Sequence, residues 1–120
     1  MDKFNERLEY FKDLFGLKNW DILVTMAQFE DKNHSAMTIA DPRYHHATMT
    51  VYPQVLMNEG SFDSIIVHEL IHVVMAMYDY FADNLGKKGT DDLFFIAREK
   101  SVSELTHIFM RLYNGRGAQA

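Results

Sequence analysis

Apolar side chains recur at Phe4, Leu8, Phe11 and Phe15, spaced i, i+4, i+7 and i+11, while Asn5, Glu6, Arg7 and Lys12 fall elsewhere. That spacing predicts an amphipathic helix over residues 2–15, with Gly16 as its natural stop. The period then shortens to two. Trp20, Ile22, Val24 and Met26 share one face of a predicted strand, although Leu23 adds an apolar residue to the other. A polar loop over 30–34 leads to a second strand around 35–40, and Asp41-Pro42-Arg43-Tyr44 reads as a turn with proline at its second position. In a third strand over 45–52, Ala47, Met49 and Val51 alternate with a solvent-facing set, His46, Thr48, Thr50 and Tyr52. Pro53 ends this strand and would suit a position at the edge of the sheet.

Beyond Asn58-Glu59-Gly60 the helical period returns. Ser61 is placed to cap a helix running to about Phe81, in which Ile65, Ile66, Val67, Leu70, Ile71, Val73, Val74 and Met77 leave little polar surface. A turn over 83–89 follows. Thr90 would then cap a third helix extending to Tyr113, with Asn114-Gly115 as its stop and residues 116–120 as a frayed tail. The expected architecture is α+β, in the order α-β-β-β-α-α: one domain over residues 1–115, with a three-stranded, mostly antiparallel sheet and two packed helices.

Composition narrows the chemistry. The 120 residues include no cysteine, so a disulfide framework and a thiolate metal site are both excluded. A net charge of −5 and the lack of a basic stripe argue against nucleic-acid binding. No apolar run reaches membrane-spanning length, and the charged start of the chain is unlike a signal peptide. The expectation is a soluble cytoplasmic monomer.

The predicted buried helix carries His68-Glu69-Leu70-Ile71-His72. Residues four apart stand one turn above each other, so both imidazoles can face a single metal ion. Glu69 is close enough to reach a water on that metal. Two histidines and a glutamate on so apolar a helix are costly to bury unless they are liganded or paired. His34, His45 and His46 lack such a setting. His45 and His46 point to opposite faces of a strand, and all three read as exposed.

A catalytic zinc needs a third protein ligand. A metzincin would place glycine and histidine where this chain has Met75 and Tyr78. The next helix offers Glu99, Glu104 and His107. Helical phase favours Glu99, which shares its side with Phe95, Ile96, Val102 and Phe109, whereas Glu104 lies on a mostly polar side with Lys100, Ser101, His107, Ile108 and Arg111.

His68-Glu69-Leu70-Ile71-His72 followed by a glutamate on the next helix resembles the gluzincin metallopeptidases. The order of elements resembles their smallest members, the minigluzincins and related small phage-type zinc peptidases. Residues 41–51 are similar to the hairpin that precedes the motif helix there, and residues 99–105 to the glutamate helix. Ser103 departs from the acid that larger gluzincins place one turn after the glutamate. The resemblance implies peptide hydrolysis by a zinc-bound water, with His68, His72 and Glu99 as ligands and Glu69 as general base. The third strand would offer an edge for an extended peptide substrate. Tyr44, His46 and Tyr80 are the candidates for stabilising the oxyanion. The alternative is a zinc-stabilised interaction or regulatory module without activity.

Overall fold

Helix α1 (Asp2–Leu14) turns Phe4, Leu8 and Phe11 into the core, and Phe15 packs beside them just past its end. The helix closes in a Schellman arrangement. Gly16, at φ 72°, donates its N–H to Asp13, and Leu17 donates to Lys12 at 2.8 Å. The computed structural model describes residues 1–76 and 91–119 and, within the last helix, the side chains of residues 99–115.

Strands β1 (Asp21–Met26), β2 (Ala36–Asp41) and β3 (His46–Val51) form one sheet in the order β1-β3-β2. The turn at residues 41–44 folds β2 back against β3 as an antiparallel pair. Tyr44 N–H donates to the Asp41 carbonyl and Arg43 N–H to the Asp41 carboxylate. The longer connection between β1 and β2 carries β2 to the far side, so β1 pairs with β3 in parallel and the sheet is mixed. The third strand is therefore central, and the expectation that it offers an edge is corrected. Its inward residues Ala47, Met49 and Val51 are all fully buried, and its backbone pairs with a strand on each side. Among the described residues the outer strands are β1 and β2. Pro53 opens a short 3-10 turn (Pro53–Met57) after the strand has ended.

Helix α2 (Phe62–Val74) buries Phe62, Ile66, Val67, Leu70 and Val73, and it packs against α1, β2 and α3 (Asp91–Gln119). Arg7 ties the three helices together. It pairs with both carboxylate oxygens of Asp63 on α2, lies 3.3 Å from the Tyr113 hydroxyl on α3 and stacks over Tyr10 of its own helix.

Three predicted boundaries change. Ser61 precedes α2 but does not cap it through its side chain, because its hydroxyl donates to the Asn58 carbonyl at 2.7 Å. The helix ends at Val74, with Met75 as its C-cap; the rest of the expected extension to Phe81 falls largely outside the described residues, as do the 83–89 turn and the Thr90 cap. At the other end, α3 runs through Asn114-Gly115 to Gln119 instead of stopping and fraying. Gly115 does not enter the left-handed region that would terminate a helix. Among the described residues, no helix is long and apolar enough to cross a membrane.

Candidate metal centre

His68 and His72 stand on the same face of α2, one turn apart, with ring centroids 5.2 Å from each other. Glu99 reaches them from α3, its Oε1 lying 3.4 Å from His72 Nε2. One donor atom from each of the three residues falls within 4.8 Å of the other two. Tetrahedral zinc with bonds of about 2.0–2.1 Å requires ligand atoms roughly 3.4 Å apart, so the three donors fit after small adjustments. Two imidazoles and a carboxylate are also a suitable nitrogen and oxygen set for zinc, with one position left open.

Helix phase accounts for the choice among the candidates on α3. Val102 is fully buried and Phe109 packs on the core, which turns their side of the helix toward α2. Glu99 lies near that side, although its side chain is 41% exposed because it looks into an open groove. Glu104 faces away and is exposed. His107 is exposed too, yet it lines the groove without joining the cluster. The side chains of Phe95 and Ile96 lie outside the described set.

Glu69 faces β2 from the adjoining side of α2. Its side chain is 6% exposed. Thr38 donates its hydroxyl to Glu69 Oε1 at 2.7 Å, and Oε2 lies 4.0 Å from His68 Nε2. Burial pushes the Glu69 carboxyl up from its ordinary value of 4.5 to about 7; Thr38 opposes this and the nearby Glu99 adds to it. The His68 imidazole is lowered, first by burial; Glu99 resists this and His107 reinforces it. Both shifts describe metal-free protein and favour neutral groups, as burial without a counter-charge should.

The groove over these residues has a volume of about 930 Å³, with residues 33–40 of the β2 side along one wall and α3 contributing Ser103, Thr106 and His107 to the other. His34 lines it as well, held by a 3.2 Å contact from Nδ1 to Asp31, whereas His45 stacks on Trp20 and His46 lies near Asp21, both away from the groove. Neither Tyr44, which is 75% exposed, nor His46 lines the groove, so neither is placed to stabilise an oxyanion there. Tyr80 lies outside the described residues.

Thr38 is the residue that the sequence reading missed. A signal was present: in β2 the outward positions are Met37 and Ile39, and the inward ones are Ala36, Thr38 and Ala40. A single hydroxyl between two alanines on the covered face of a strand needs a partner. Comparison of this chain with protein-family models, curated proteins and solved structures gives no match.

Proposed function

We propose that this chain is a zinc-dependent peptidase of the gluzincin kind, acting as a cytoplasmic monomer on extended peptide segments. The observation that carries the reading is the meeting of His68, His72 and Glu99 beside a buried Glu69 at the base of an open groove. Zinc, when held by these three residues, supplies a Lewis acid that polarises a carbonyl and acidifies a water molecule. Glu69 takes the proton at Oε2, the oxygen that Thr38 leaves free, and delivers it to the departing amine. His68 and His72 must be neutral to serve as ligands, and burial of His68 favours that form. The peptide lies along β2, the edge strand that walls the groove.

Metal analysis and peptide cleavage together test the reading. Protein purified without chelator is expected to carry one zinc per chain, and the His68→Ala/His72→Ala double variant none. Glu69→Gln should keep the zinc and lose cleavage of a diverse peptide library, because an amide cannot take up the proton. Zinc retained by the wild type with no cleavage of that library would favour the inactive module. Equal metal content in the wild type and the double variant would remove the centre itself.

A further inference from the structure

The pairing of β2 with β3 determines which backbone groups of β2 are free. Tyr52 N–H donates to the Ser35 carbonyl, so residues 35 and 52 form a hydrogen-bonded pair. Such pairs alternate along an antiparallel ladder. In the observed register the next ones are Met37 with Thr50, Ile39 with Thr48 and Asp41 with His46. Ala36, Thr38 and Ala40 therefore point their N–H and C=O groups away from β3, toward the edge where no other strand pairs among the described residues. Their side chains are on the inward face, toward α2.

Thr38 stands in the middle of this set. Its backbone N–H and C=O face the open edge, and its hydroxyl holds Glu69 Oε1 at 2.7 Å. We infer that Thr38 is a positioning residue which couples substrate to base: an extended peptide added along β2 pairs with the backbone of the same residue whose side chain orients the Glu69 carboxylate. This rests on the peptidase reading above and extends it. The peptide must be extended, with unsubstituted backbone amides on the side facing β2, because the recognition runs through main-chain hydrogen bonds. The small side chains of Ala36 and Ala40 leave that backbone approachable. When the strand seats, it fixes Thr38 more firmly, and Glu69 Oε2 is held toward the reacting carbonyl.

Two variants separate hydroxyl from backbone. Thr38→Val keeps shape and β-branching but loses the donor; Thr38→Ser keeps the donor. With the best-cleaved member of an internally quenched peptide library, Thr38→Val should lower kcat by about 10- to 100-fold, the effect of losing one hydrogen bond to a charged group. KM should change by less than about threefold, since the backbone pairing persists, and Thr38→Ser should restore most of kcat. A Thr38→Val enzyme with wild-type kcat, or one impaired only in KM, would overturn the inference. In metal-free protein, a denaturation cycle combining Thr38→Val with Glu69→Leu should be non-additive. Additivity would overturn the Thr38–Glu69 tie. Coupling in that cycle, alongside a wild type that cleaves nothing, would refute the peptidase reading and leave Thr38 as the link that positions Glu69.

Discussion

The side chains at the centre differ sharply in what they cost the metal-free protein. Glu69 has a carboxyl raised to about 7 from 4.5, so between those values the unfolded chain releases its proton while the folded chain retains it. The Glu69 contribution to stability therefore falls as pH rises from about 4.5 to 7 and levels off above, a loss of roughly 3 kcal/mol. Denaturation of metal-free wild type and Glu69→Gln at pH 5 and pH 8 isolates this, because the variant keeps every other titrating group, including His68, whose lowered value acts in the opposite sense. A stability difference that is the same at both pH values would contradict it. Glu99 and Glu104 provide a second contrast. Five residues apart on a helix, they sit roughly 140° from each other around its axis, and only one can face the histidines. Glu99→Ala should weaken zinc binding beyond the ~10–100-fold typical of an outer-shell partner, and Glu104→Ala should leave it nearly unchanged, as zinc titrations would show. Both glutamates could be ranked from the sequence because the apolar stripe fixes the rotation of α3. For Thr38 the local pattern shows only that its hydroxyl faces inward and needs a partner; which partner depends on a contact across 31 residues.

Among the elements, those defined by period and punctuation were the readable ones. The stripe of α1 and the glycine that ends it appear as expected. Gly16 allows a direct test: its φ is 72° and a Cβ added there would meet nothing within 4 Å, so Gly16→Ala carries only the backbone penalty of a left-handed residue. A loss of about 1–2 kcal/mol in denaturant midpoints is expected, and an unchanged or more stable variant would show that the cap tolerates a side chain. The alternation of β3 was equally plain, but its place in the sheet was not. Period two reports which face of a strand is buried and says nothing of how many neighbours it has. Pro53 suggested an edge, yet it lies beyond the last residue of β3 and removes no hydrogen bond from the ladder. Gly115 misled in the opposite direction: a glycine is compatible with a helix interior at a cost of about 1 kcal/mol, and only its backbone angle distinguishes a stop from a passage.

At the scale of the whole molecule, the residues of the candidate site come from three separate parts of the chain: β2, α2 and α3. Their meeting depends on packing that holds α3 at a fixed height against α2. Arg7 contributes from the far side of α2, binding Asp63 and contacting Tyr113, so α1 supports the arrangement without touching the groove. The strand that lines the groove has a second consequence. An edge that no strand covers among the described residues is open to any strand, and residues 36–40 of β2 carry neither charge nor proline to turn one away. Ile39, 77% exposed, adds an apolar contact for a newcomer on the outer face. Edge-to-edge docking of copies is opposed at long range: a net charge of −5 makes molecules repel one another, and dissolved salt screens that repulsion over about 10 Å at 0.1 M. Raising the ionic strength should therefore favour self-association, and the edge proposed to seat a peptide would also limit how crowded a solution of the protein can become.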